Sequence, residues 1–437
     1  MLGKHFQNIM LSCLCTVGNS LLLLGLNILL ARNLTLGSYS LLATAIAIAT
    51  IFDTVFTFGL NKLTSIVIPQ YLGSNPSKVK SFIFDGYIII LGVFILVSFP
   101  LIYLMFTYAE QPLLRVICIG LLISPLTAMV KFSSSILIAK QVVWKGMLLN
   151  EILALLGTLL AVLAWMFIGL PLDVYSYFIA LALASLMTLF LCVKEIQKAY
   201  PVKLWEKKYK KNMTHWFRSG FPMMYSTFTL LLANNIGTIV LKFFGGANGF
   251  IAGLFVAIYM ISHMVVGLQV SLDKMFIPKI SERYGKKDWS GFNKVLKQRM
   301  FASILMYIFF FFIIVSFGKY FLSLFGDEFV ATYVELLLLS VVFMTGSFLN
   351  INASLLILLK EGKRIIYIQN ISAIFAVSLA VILVLFIGIY GVLIAVFVSK
   401  TVVPLYNSLY LHRRYGISIF GFPAKTQSRG VFKLKGI

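Results

Sequence analysis

The chain has 437 residues, 60% hydrophobic and 12% charged, with 37 Lys and Arg against 14 Asp and Glu and a mean hydropathy of +0.97. A soluble domain carries roughly 25% charged residues, so this composition excludes a water-facing globular chain. Apolar stretches of about twenty residues recur along it, the length that crosses a bilayer core as helix, and the alternating pattern of a membrane barrel is missing.

Twelve spans are expected. Those of the first half run approximately Asn8–Leu30, Leu41–Val67, Ile83–Phe106, Leu113–Ile138, Met147–Ile168 and Val174–Val193. A basic block from Lys194 to Arg218 follows, with eight Lys or Arg against two Glu. The second half continues with Ser219–Leu241, Phe250–Val270, Phe301–Phe317, Val330–Leu358, Ile366–Phe386 and Val392–Tyr410. The first span is too long for a signal-peptide core and has no small-residue cleavage site before Arg32.

Placing the N-terminus inside puts 30 of the 37 Lys and Arg on one side, and only Arg32, Arg115, Lys242 and Lys319 on the other. That is the positive-inside pattern, and it predicts that both termini and the basic block are cytoplasmic, beside an anionic leaflet. Topology thereby explains the net charge of +23 with no nucleic-acid partner. Two stretches on that side, "QYLGSNPSKVKSF" and "SERYGKKDWSGFNKVLKQRM", read as amphipathic. In the second, Trp289, Phe292, Leu296 and Arg299 recur at helical spacing, suiting a helix that lies in the interface.

Six spans precede the basic block and six follow, and the halves repeat. "AKQVVWKGMLLNEI…MFIGLPLDVYSYFIA" aligns with "LKEGKRIIYIQNIS…LFIGIYGVLIAVFVS", placing Lys140 on Lys360, Asn150 on Asn370 and Phe167-Ile168-Gly169 on Phe386-Ile387-Gly388. Ile68-Pro69 likewise matches Ile277-Pro278. An even span count per half makes the repeat parallel, an architecture of transporters whose site lies where the halves meet. The expected organisation is an all-α polytopic membrane protein of two six-helix lobes, residues 1–193 and 219–411, with a linker at 194–218 and a basic tail at 412–437.

The segments "NILLARNLTLGSYS", "FDTVFTFGLNKLTSIVIPQYLGS" and "LLKEGKRIIYIQNISAIFAVSLAVILVLFIGIYGVLIA" resemble the polysaccharide flippases of the multidrug/oligosaccharidyl-lipid/polysaccharide exporter (MOP) superfamily. The resemblance implies a MATE-like fold in the bacterial inner membrane. It also implies outward flipping of an undecaprenyl-diphosphate-linked O-antigen or capsule repeat unit, as in lipopolysaccharide or capsule biosynthesis. The implied partners are that lipid-linked oligosaccharide, membrane lipids and the polysaccharide polymerase or chain-length machinery. Related lipid II flippases usually carry two additional helices, for which this chain has no room.

Charge deep in a bilayer is costly and points to function. Asp53, Lys62, Asp85, Lys131, Glu151, Glu335 and Lys400 fall within spans or just inside their ends. Asp85, Glu151 and Glu335 lie near span ends and read as caps or interfacial pairs. Lys400 is mid-span without a basic neighbour; the plain alternative to a substrate role is an ion pair with Asp53 or Glu151. With Lys131 and Lys62 it would make a cationic cavity that neutralises a diphosphate or acidic sugar, although both of these can also snorkel to headgroups. Asp53 and Lys62, nine residues apart, cannot line one cavity on a straight helix. Asp53 and His263 are candidate coupling groups, and Asn234 and Asn235 candidate cavity residues, against a plain role for such amides as glue between helices. Arg32 and Lys242 close the far ends of the two equivalent helices and read as a basic outer mouth, against simple interfacial anchors. The polyprenyl tail would stay in lipid through a gap between spans one and eight or two and seven.

Cys13, Cys15, Cys118 and Cys192 all lie in apolar spans and suggest neither a disulfide nor a metal site. With no phosphate-binding loop and only short outer loops, neither a cofactor nor enzymatic activity is expected. A multidrug exporter of the same superfamily is the alternative, and a membrane glycosyl- or acyltransferase a more distant one.

Overall fold

A computed structural model describes residues 2–72, 75–108, 110–140, 143–200, 212–245, 249–359, 361–415 and 417. Among them are twelve helices long and apolar enough to cross a membrane, and no strand. In chain order these are α1 (Leu2–Asn33), α2 (Leu36–Tyr71), α3 (Pro76–Thr107), α4 (Pro112–Ala139), α5 (Trp144–Phe167) and α6 (Val174–Ala199). The second set is α7 (Met213–Phe244), α8 (Ile251–Gly285), α9 (Trp289–Ser323), α10 (Asp327–Leu358), α11 (Gly362–Ile387) and α12 (Ile389–Tyr415). Lys360, most of the basic linker, nearly all of the tail, and the side chains of Asn8, Ser12, Cys13 and Pro278 lie outside the described residues.

Local chemistry sets the helix starts. The Thr35, Asn75 and Asp288 side chains each accept a backbone N–H from the first turn of the helix that follows, and Asp173 forms a capping box with Ser176. Pro76 and Pro112 occupy first turns, where no backbone donor is lost. Within the spans, Ser and Thr hydroxyls mostly bond back to carbonyls one turn earlier, as Thr44, Thr158, Thr188 and Ser303 do.

The repeat is visible in the packing. In the N-terminal lobe α4 is central and touches α2, α3 and α6; in the C-terminal lobe α10 is central and touches α8, α9 and α12, the equivalent partners. The lobes meet where α2 packs on α7 and where α1 packs on α8. Apolar cores follow depth. Toward the face that carries Arg32 and Lys242 (the far face), one continuous core joins both lobes, from Leu26, Tyr39 and Leu42 to Phe255, Phe329 and Val392. Toward the basic face, where α1 begins and α12 ends, it divides. One core surrounds Phe82, Phe132 and Ile136; the other surrounds Phe292, Leu296 and Leu355.

The start of α7 packs on the N-terminal lobe: Trp216 is buried against Phe82 at 5.1 Å between ring centroids, and Asp85 accepts the Asn212 backbone N–H at 2.8 Å. One expectation needs correction: Trp289–Arg299 is not a helix lying in the interface but the continuous start of α9, with Phe292, Leu296 and Arg299 turned into the lobe. The apolar spacing was sound; its partner is protein rather than lipid.

Helix α2 is broken. Phe58 and Gly59 both adopt left-handed backbone (φ 49° and 68°), a conformation that costs a residue with a Cβ about 1–2 kcal/mol. At the break, backbone meets backbone: a Cβ on Gly59 would lie 2.5 Å from Gly220 O and Met224 N of α7. Phe58 stacks on Phe217 with centroids 3.9 Å apart.

Candidate functional site

Each lobe encloses a polar cavity at mid-depth. The N-terminal cavity, about 280 Å³, is lined from α1, α2, α4, α5 and α6. Thr127 and Lys131, four residues apart on α4, present their side chains on one helical face, and both reach Asp53 of α2. Lys131 Nζ forms an ion pair with Asp53 Oδ2, and Thr127 Oγ1 donates to Oδ1 at 2.7 Å. Opposite them, α5 contains a π-helical turn, Leu148–Leu153, carrying Asn150 and Glu151 on the cavity wall. Such turns are rare and cluster at functional sites. Lys274 of α8 donates to Thr16 Oγ1 of α1 at 2.9 Å and interacts electrostatically with Glu151.

The C-terminal cavity, about 320 Å³, is lined from α7, α8, α10, α11 and α12. Lys400 of α12 donates to Asn234 Oδ1 of α7 at 2.5 Å, and its ammonium lies 5.8 Å from the Phe343 ring centroid. Gly346 makes this position accessible: a Cβ there would lie 2.9 Å from Lys400 O, so only glycine lets α10 approach α12 at the lysine. His263 stacks on Tyr259 at 5.3 Å and meets Phe343 edge-on. Below them Asp273 receives Arg299 in a two-point pair at 2.9 and 3.2 Å, and Gln269 bridges Asp273 to Tyr307. Arg299 is completely buried. Asp273 is thus neutralised, and among the described residues Lys400 has no carboxylate partner.

The candidates therefore separate. Lys131 and Lys400 line different cavities, and Lys62 lines neither; it is exposed, with no hydrogen bond or ion pair of its ammonium among the described residues. Neither of these two cavities holds more than one of the three lysines, and Lys62 lies past the break at Phe58–Gly59. Asp53 and His263 occupy opposite lobes and cannot act on one proton site. Asn234 faces the cavity, whereas Asn235 bonds its own helix at Leu231 O.

Arg32 and Lys242 form no open mouth. Arg32 donates to the carbonyls of Ser323 and Leu324 at 3.0 and 2.7 Å, satisfying the free end of α9 from the opposite lobe. Ser40 of α2 donates to Gly249 O at 2.6 Å and accepts from Lys242 at 3.3 Å. Both basic groups join the lobes at the far face. The seams expected to admit a lipid tail are also in contact: α2 meets α7 at Gly59 and Gly220, and Ser20 of α1 lies by Gly267 of α8.

On the amino-acid sequence Glu151 reads as a cap or interfacial pair near a span end, and Asp273 and Gln269 have no role, yet all three line cavities. A carboxylate and a guanidinium near facing ends of consecutive spans, Asp273 and Arg299, was the available signal.

Comparison with known proteins places this geometry. The sequence profile of the family described as "Polysaccharide biosynthesis protein" matches residues 6–284. No curated protein matches the chain. Among solved structures, the inward-facing conformation of a multidrug resistance MATE family transporter of the MOP superfamily matches with TM-score 0.73 and 15% identity, covering 91% of this chain and 94% of that one. An outward-facing conformation of such a transporter gives TM-score 0.60 at 15% identity over 94% and 95% of the two chains. A MOP superfamily transporter from Pyrococcus furiosus, whose description reports a binding pocket of reverse polarity, gives 0.65 at 14% identity over 94% and 95%.

Proposed function

The chain belongs to the polysaccharide biosynthesis protein family, flippases of the MOP superfamily, and from that premise we propose that it moves an undecaprenyl-diphosphate-linked oligosaccharide between leaflets by alternating access. The substrate is an O-antigen or capsule repeat unit, taken from the basic leaflet and released at the far one. The basic face is cytoplasmic by the positive-inside pattern, in a bacterial inner membrane.

One observation carries this reading: Lys400 stands in a membrane-embedded cavity with an amide, not a carboxylate, as its partner. A buried ammonium held by a neutral oxygen keeps its charge available to an arriving anion. At about 4 Å and an effective dielectric near 20, each such charge pair is worth roughly 4 kcal/mol before desolvation. Lys131 differs, since Asp53 already neutralises it. The divided core on the basic side and the shared core at the far face fit a state that takes substrate from the basic side, as does the higher TM-score against the inward-facing relative. The multidrug reading is weaker because a cationic drug would meet like charge at Lys400.

Coupling is assigned to the N-terminal cavity, where Asp53 and Glu151 are the acidic groups. Substrate and proton sites then lie in different lobes and communicate through the seams.

The test compares Lys400→Ala and Lys400→Arg in purified protein and in cells lacking the native copy. Lys400→Ala is expected to insert and fold but to abolish surface polysaccharide, and Lys400→Arg to retain part of it. Normal polysaccharide with Lys400→Ala would overturn the assignment.

A further inference from the structure

A third concavity lies outside both cavities, on the surface of the C-terminal lobe. It is a groove of about 700 Å³ between α11 and α12. Its walls are Tyr367, Ile371 and Phe375 from α11 and Val398 and Val402 from α12; Arg364 and Tyr406 stand at its basic end. Tyr367, Ile371 and Phe375 are 67%, 51% and 56% exposed, so no described residue covers this apolar lining. The twelve residues from Arg364 to Phe375 rise about 16 Å from first to last as helix, close to half of a hydrocarbon core of about 30 Å. The groove is one leaflet long.

Its basic end is built for an anion. The Arg364 guanidinium lies 3.6 Å over the Tyr410 ring and donates from Nη2 to Tyr406 Oη at 2.7 Å. Its Nε is buried with no hydrogen-bond partner among the described residues, a cost of about 1–3 kcal/mol unless a ligand supplies an acceptor. The nearby carboxylate, Glu361, accepts from Tyr410 and Tyr415 at 3.1 and 2.8 Å, lies 3.7 Å from Arg414 and also attracts Arg364 electrostatically, with no direct ion pair between them among the described residues. Stacked planar guanidinium with a free N–H is well suited to phosphate.

The groove also backs onto the Lys400 cavity. Ser372 and Val403 line both, and Ser372 Oγ is buried between them without a hydrogen-bond partner among the described residues. We propose that this groove holds the polyprenyl chain of the carrier lipid, with its phosphate on Arg364, beside the cavity that receives the diphosphate. The identity of the lipid rests on the flippase reading.

Photo-crosslinking tests this without transport. A benzophenone amino acid replaces Ile371 or Phe375, and Phe167, which is 94% exposed on the other lobe, serves as the control position. The probes are sugar-free undecaprenyl phosphate and phosphatidylglycerol in nanodiscs, with adducts read by mass spectrometry. The expected result is an undecaprenyl phosphate adduct at 371 and 375, absent at 167 and not displaced by excess phosphatidylglycerol. Arg364→Ala should lower it about tenfold, the loss of one charge-assisted contact; Arg364→Lys, which keeps the charge, should lower it less. Equal labelling at 167, equal occupancy by phosphatidylglycerol, or indifference to both Arg364 variants would overturn the proposal. Because no flipping is measured, adduct formation in a protein that fails to flip would count against the flippase reading and leave the groove standing.

Discussion

The contact between Gly59 and Gly220 makes a quantitative prediction about how the lobes are held. Gly59 has φ 68° and Gly220 lies within helical α7; a Cβ on Gly59 would approach two α7 backbone atoms at 2.5 Å, and one on Gly220 would meet Phe58 O. Backbone cannot swing aside as a side chain can, so α2 and α7 must part by about 1 Å, at an overpacking cost of roughly 1–3 kcal/mol. In Gly220→Ala the helix gains about 0.5–1 kcal/mol from the residue change itself, leaving a net loss of roughly 0–2 kcal/mol. Gly59→Ala has no such gain and adds about 1–2 kcal/mol of left-handed strain, for a loss of roughly 2–5 kcal/mol. Gly92 has nothing within 4 Å of its added Cβ, so Gly92→Ala should gain up to about 1 kcal/mol. Thermal unfolding of the detergent-purified variants, followed by size-exclusion fluorescence, should rank them Gly92→Ala, wild type, Gly220→Ala, Gly59→Ala from most to least stable. The double alanine should cost less than the sum, because the first substitution already parts the helices. Strict additivity, or Gly220→Ala matching the gain of Gly92→Ala, would show that the helices do not meet here.

Three further outcomes are expected. Asp273→Ala strands a fully buried Arg299 and should lower stability by about 3–5 kcal/mol, while Asp273→Leu with Arg299→Met should recover much of it; thermal unfolding distinguishes them, and a benign single substitution would refute the pairing. Arg32→Ala frees the end of α9 from α1, so a cysteine placed at Ser40 should react faster with an impermeant thiol reagent; an unchanged rate would show that Arg32 does not hold the far face shut. Asp288, outside the spans, is held below the ordinary 3.8 first by the Gly291 N–H and then by Arg283. Its depressed value means the cap of α9 is present above that pH and is lost only as pH falls through the lower, folded value. The protection of the Gly291 amide, taken relative to its intrinsic exchange rate, should persist from neutrality down into the ordinary carboxylate range and fall only below it, and loss of protection near neutrality would contradict the cap.

Span number, parity and the parallel repeat were legible in the amino-acid sequence because hydrocarbon thickness acts on contiguous residues. Lys400 stood out for the same reason: depth is a matter of counting along one helix. Which residues share a cavity is not, since it depends on how each helix is rotated against its neighbours. Asp53 and Lys131 are 78 residues apart, and nothing in either segment announces the other. Lys62 lies past the left-handed pair at Phe58–Gly59, which interrupts a helix that hydropathy reads as continuous. Arg299 was sent to the membrane surface because its apolar neighbours recur at a spacing common to interfacial and buried helices, and only the Asp273 carboxylate decides between them.

The far-face core shared by both lobes, opposite two separate cores on the basic side, has a mechanical consequence. It makes the far end a pivot and the basic ends the tips of two long arms. A rotation of about 15°, as observed at switching interfaces, acting over roughly 30 Å of membrane, carries the tips through about 8 Å. Small rearrangements around Arg32, Ser40 and Lys242 would thereby be geared into large displacements at the basic face, where the proposed function has a bulky sugar enter, so side chains far from that entry would set the width of the doorway.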